Sequence, residues 1–161
     1  LIFIGLSIEA GGLLVNFVFS IFNPQMVSRL YQKLDLSQIY NRNAYVFYVL
    51  YGFLIIISIL KASLFYLVIL MLLKLDLNNP FKNIVSTQMY RISYCTLTIG
   101  VLSYIAQSSS QKLLDIGYNT TALSKFWVDS QAFILMAAII YVIAQIFKRG
   151  IEIQEENDLT V

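Results

Sequence analysis

Two residues of this chain could do chemistry where the surroundings make charge costly. Glu9 stands in the apolar run 1–22, and Lys61 in the run 45–73, whose centre reads IISILKASLFYLVILMLL. They are the one acid and one base set well inside apolar segments. A lone charge at the centre of a membrane helix costs about 3 kcal/mol on insertion scales, and a paired one much less. A carboxylate and an ammonium in that setting can hold each other or hold a ligand. Small and polar residues recur around them at helical spacing: Gly5, Gly12, Asn16 and Ser20 with Glu9, then Tyr51 and Ser58 with Lys61. Further on, Ser93, Thr96, Gly100, Ser103 and Gln107 share a face, as do Gln131, Ala138, Gln145 and Arg149. Glu9, Asn16, Ser58, Lys61, Ser103 and Gln107 form the expected intramembrane polar seam. Such stripes either line a polar cavity or are simply the seams at which membrane helices pack closely.

Depth arithmetic bears on the pair. Counted from the helix ends at ~1.5 Å per residue, Glu9 and Lys61 sit about 10 Å apart in a ~30 Å core. Direct pairing then requires both side chains to reach. Asn16 lies closer to the level of Lys61, and a lysine that snorkels outward along its helix is the rival arrangement.

Other chemistry lacks its residues. The chain has no histidine and a single cysteine, Cys95, so a thiolate zinc site, a Cys–His nucleophile and an internal disulfide all lack partners. No two carboxylates share an apolar run, which removes an intramembrane acid–base pair. No enzymatic activity, metal or cofactor is expected. A net charge of +2 without a long basic run gives no footprint for direct nucleic-acid binding. The acids gather at the end, where Glu152, Glu155, Glu156 and Asp158 alternate with Ile151, Ile153 and Leu159 before the terminal Val161. An acidic segment with apolar teeth and a free carboxylate suits docking to a basic partner. It also suits a solvated cap on the preceding helix.

These residues must be positioned by membrane helices. Of 161 residues 58% are hydrophobic and only 12% charged, which places the chain in the membrane class. A span takes about 20 apolar residues, and the segments 1–22, 45–73, 84–106 and 130–148 meet that length. The expected fold is all-α: one polytopic domain over 1–161, an antiparallel four-transmembrane-helix bundle with a short acidic tail, 150–161, loosened at Gly150. The bilayer is the first partner, and a homo-oligomer is a second. The run opens on Leu1 without Met, so a short lead-in is expected upstream.

Asn23 and Pro24 read as a cap and a first helical position. Val27, Leu30, Tyr31 and Leu34 then have the spacing of a short amphipathic helix lying on the membrane surface, although an ordinary surface connector is the reading favoured. Asn79 and Pro80 mark the restart after the second span, and Phe126–Trp127 an interfacial anchor. Orientation is nearly a tie, because Lys74, Lys82, Arg91, Lys148 and Arg149 on one side face Arg29, Lys33, Arg42, Lys112 and Lys125 on the other. The first set crowds the membrane ends, which places both termini in the cytoplasm and the two longer connections opposite.

Several stretches resemble a known family. The ending FKRGIEIQEENDLTV (147–161), with LKA (60–62), LDLNNPF (75–81) and IAQIFKRG (143–150) in the same order, is similar to a family of uncharacterised bacterial four-helix membrane proteins, known only as a domain of unknown function. The resemblance implies a bacterial cytoplasmic (inner) membrane protein with four spans. It implies no activity. Some members are encoded beside a small helix-turn-helix regulator of the Cro type, which implies a cytoplasmic protein partner. Two functions follow as expectations: a sensor or anchor that engages such a regulator through its tail, or an oligomeric small-molecule or ion carrier built on the seam around Glu9 and Lys61. A carrier needs a polar route to both faces, and a sensor does not.

Overall fold

The computed structural model describes residues 1–75 and 83–158. Those residues form α1 (Ile2–Phe22), α2 (Ser37–Arg42), α3 (Ala44–Lys74), α4 (Asn83–Asp115) and α5 (Ser130–Asp158), with 3-10 turns at Pro24–Arg29, Tyr31–Lys33 and Thr121–Lys125. The expected Asn79–Pro80 restart lies outside the described residues. The chain is mostly α-helical and of multi-pass membrane type. Among the described residues three helical stretches are long and apolar enough to cross a membrane: α1, α3 and Thr121–Glu156, which takes in most of α5. Their outward faces carry exposed Ile8, Val15, Ile56, Ile69, Ile139 and Ile146, the surface a hydrocarbon solvent calls for.

The long α4 is more polar, and much of its polarity points inward. Ser86, Gln88, Ser93, Thr96, Ser103 and Ser110 are all buried, while Val101 and Ile105 are exposed. These buried hydroxyls meet protein, while Thr87 and Thr98 are exposed and bond back to their own helix. It also runs further than expected, through Asp115. Backbone packing is serial: α1 lies on α3, α3 on α4, and α4 on α5. No substantial backbone packing joins α1 to α4 or α5 among the described residues, so the array is more open than the bundle expected from the sequence.

The α4–α5 seam carries the most extensive backbone packing among the described residues. Buried Ser130, Ala137 and Ala144 of α5 face Gly100, Ser93 and Ser86 of α4, each set stepping by one heptad in opposite directions. Ser93 Oγ donates to Ala137 O at 2.8 Å and Ser86 Oγ to Ala144 O at 3.4 Å. A Cβ on Gly100 would lie 2.8 Å from Ile134 Cγ1, 3.1 Å from its backbone N and 3.2 Å from Ser130 O. Small residues at heptad spacing let two antiparallel backbones stay close along their length. On its other side α4 packs Ile92, Ile99 and Ala106 with Ile57 and Leu64 of α3.

The two longer connections build a cap together. Of the two readings of 27–34, the structure shows a connector of short 3-10 turns and not a surface helix. Leu30 is extended, Gln32 turns left-handed at φ 56, and Leu30 N donates to Leu34 O at 3.1 Å. A left-handed non-glycine residue cannot continue a helix. The apolar residues that suggested an amphipathic helix instead enter a core: Val27, Leu30, Leu34, Leu36 and Ile39 pack with Leu13, Phe47, Leu50, Tyr51 and Leu123. Asn23 does cap the first turn, accepting from Gln25 N at 3.2 Å. Asp35 accepts from both the backbone and the hydroxyl of Ser37, which holds its carboxyl below the usual range. Arg42 ties the connections to each other, donating to Gly117 O at 2.9 Å and Ile116 O at 3.2 Å with its guanidinium over the Tyr118 ring. Gly117 has φ 88, a conformation that glycine adopts without strain.

Candidate functional site

α1 and α3 run antiparallel, and three pairs of residues set their register. Phe3 meets Tyr66 at one end, with ring centroids 6.0 Å apart. Phe17 stacks on Tyr51 at 5.7 Å at the other. Between them Lys61 Nζ lies 2.9 Å from Glu9 Oε1. Ser58, one turn before Lys61, donates from Oγ to the same oxygen at 3.3 Å. The Lys61 and Glu9 side chains keep only 16% and 20% of their exposure, so the pair is largely sheltered even before a bilayer surrounds it. Further along, Tyr51 is fully buried and donates from its hydroxyl to Leu13 O at 3.2 Å.

The depth gap that argued against direct pairing came from treating the ends of α3 as the membrane faces. At 31 residues, or ~46 Å of helix, α3 exceeds the ~30 Å core and overhangs it. Lys61 is therefore nearer the Lys74 side than that count implied, and level with Glu9. Its ammonium turns towards α1 and does not snorkel away.

The other residues of the expected seam lie elsewhere. Asn16 is half-buried on α1 and makes no hydrogen bond to Lys61. Ser103 is fully buried on α4, with no hydrogen-bond partner for its Oγ. Gln107 Nε2 donates to Val128 O at 2.9 Å, tying α4 to the connection before α5. Glu9, Ser58 and Lys61 are thus brought together, while Ser103 and Gln107 belong to the α4 side of the molecule.

The acidic end differs from a loose tail. α5 runs through Gly150 without a break to Asp158, and Ile151 is buried at 4% exposure, continuing the heptad of Ala137 and Ala144. Arg149 pairs with Glu152 at 2.9 Å, and Glu155 accepts from Asn83 Nδ2 at 3.4 Å. Glu155 and Glu156 are exposed. Asp158 is the last described residue, and Leu159 and Val161 lie outside.

Sequence reasoning missed two features. The Arg42 clamp joins residues far apart in the chain, and only the lone glycine at 117 hinted at a special turn. Tyr51 read as one polar residue in a stripe, with nothing to show that its hydroxyl would reach a carbonyl of α1. Among the described residues no group of three or more His, Cys, Asp or Glu could hold a metal.

A helical multi-pass chain with a sheltered ion pair, an acidic helix end and, among the described residues, no recognisable reaction centre defines a membrane protein. Residues 31–161 match the family described as "Protein of unknown function (DUF2975)", and the chain belongs to that family. The match takes in Lys61 and the whole of α3, α4 and α5; Glu9 precedes it. No curated protein and no solved structure matches the chain.

Proposed function

We propose that this protein is a non-enzymatic sensor or anchor of the bacterial cytoplasmic membrane. In this reading α1, α3, α4 and α5 all span, over about 1–22, 45–73, 84–106 and 130–148, with both termini cytoplasmic and the cap outside. The observation that carries it is the continuity of α5, a single helix from Ser130 beside the cap to Asp158 at the acidic end. A helix bonded to α4 along its length can pass a displacement or hold a partner in fixed geometry, where a flexible tail would only tether it. Glu152, Glu155, Glu156 and Asp158, with Val161 beyond, are the proposed docking face for a basic surface of a cytoplasmic helix-turn-helix regulator. The carrier alternative would need Glu9 and Lys61 to open towards Ser103 and Gln107, and the bond from Gln107 to Val128 lends that route no support.

The test uses the full chain in nanodiscs and a purified small helix-turn-helix regulator of the Cro type. Neutralising Glu152, Glu155 and Glu156 to Gln should weaken binding about tenfold or more, in a salt-dependent way. Binding unchanged by the triple substitution would remove the docking face from the reading.

A further inference from the structure

The cap contains a cavity of about 380 Å³ between the last turns of α4 and the connection that leads to α5. Gln107, Ser110, Gln111 and Leu114 line it from α4, and Thr120 and Trp127 from the connection. No ionisable side chain is among its lining residues. Two of the polar atoms on its lining residues have no partner: Ser110 Oγ and Trp127 Nε1 are both buried and make no hydrogen bond. Ser110 is 7% exposed, and its carbonyl already accepts from Thr120 Oγ1 at 2.9 Å. Gln107 is held through its nitrogen by Val128 O, which leaves the amide oxygen as an acceptor.

These features select a ligand class. A charged ligand would be desolvated with no counter-charge among the lining side chains. A wholly apolar one would leave the hydroxyl of Ser110 and the indole N–H of Trp127 unpaired. What fits is an uncharged molecule with hydroxyls around its edge and a C–H face to lie against an indole and a leucine. The cavity falls at the small end of the range for ligand sites, ~300–1,000 Å³. We propose that this cavity binds an uncharged sugar ring. Trp127 supplies the apolar wall and one donor, Ser110 a buried hydroxyl, and Gln107 and Gln111 the amides that meet the ring edge. Such a ring can arrive as a free saccharide or as a glycolipid headgroup, since the cavity adjoins the interfacial aromatics. The site stands whether or not the acidic end holds a partner.

Trp127 is the chain's single tryptophan, so its emission reports on the cavity directly. The full chain, purified in the sugar-free detergent lauryldimethylamine oxide, is titrated with methyl glucoside, with N-acetylglucosamine and with glucose 6-phosphate. In parallel it is placed in phosphatidylcholine nanodiscs with and without monoglucosyl diacylglycerol. A saturable emission change with the neutral sugars is the expected result and assigns a soluble ligand. A change confined to nanodiscs carrying the glycolipid supports the same site and assigns a headgroup. Ser110→Ala should weaken either response about tenfold; should that variant not fold, Gln111→Ala on the exposed rim should weaken it severalfold. No saturable change with any neutral sugar or glycolipid overturns the proposal. So does a stronger response to glucose 6-phosphate, or one that a folded Ser110→Ala protein retains in full.

Discussion

Two helix pairs in this molecule solve the same problem in opposite ways. α4 and α5 are held by shape: serines and a glycine at heptad spacing bring the backbones together, and Ser93 and Ser86 bond to carbonyls across the seam. α1 and α3 are held by chemistry: aromatic contacts at Phe3–Tyr66 and Phe17–Tyr51 flank one ion pair, Glu9–Lys61. A seam of small residues spreads its stabilisation over many atoms, so no single position dominates it. A sheltered ion pair concentrates it, because removing one partner leaves the other uncompensated. The lesson is that these pairs should fail differently when broken.

The largest effect is expected at the ion pair. Glu9→Ala leaves the Lys61 ammonium sheltered without its carboxylate and should destabilise the chain by about 3 kcal/mol, the low end for a broken buried pair given the residual exposure. Replacing both, Glu9→Gln with Lys61→Met, should come close to the parent protein. The pair should then show a coupling above ~1.5 kcal/mol in a double-mutant cycle read by thermal melting in detergent. Additive single effects would mean that the two helices are held by their aromatics alone.

The α4–α5 seam should give smaller and graded losses. Gly100→Ala places a methyl against Ile134 and the α5 backbone, so about 1–3 kcal/mol is expected as the helices move apart. Ser93→Ala removes one interhelical hydrogen bond and should cost about 0.6 kcal/mol, in line with such bonds inside membranes. Melting series on the two variants check the order. A Ser93→Ala loss larger than that of Gly100→Ala would mean that the seam, too, depends on a single polar contact.

Much of this was legible in the sequence, and the gaps have physical causes. The isolation of Glu9 and Lys61 in apolar runs marked them as the residues to explain, since a charge in hydrocarbon needs a partner. Their separation in depth was misjudged, because segment length alone does not say how far α3 overhangs the membrane. The step of seven from Ser93 to Gly100 was visible as part of a stripe, but a stripe does not name the helix it packs against. Val27, Leu30, Tyr31 and Leu34 have the right spacing for a surface helix. Nothing local shows that the third connection would supply Leu123 to bury them with. Gly150 looked like a loosening of α5, yet the helix runs through it and Ile151 beyond is buried.

That continuity is what the account depends on most, since it makes the acidic end a fixed face and not a tether. Spin labels at exposed Gln131 and Ile153, in a Cys95→Ser background, span 22 residues of α5. Their separation in nanodiscs can be read as a distance distribution by pulsed electron resonance. One rigid helix gives a single narrow peak near ~33 Å. A broad distribution, or one centred well below that distance, would show a hinge at Gly150 and contradict the account.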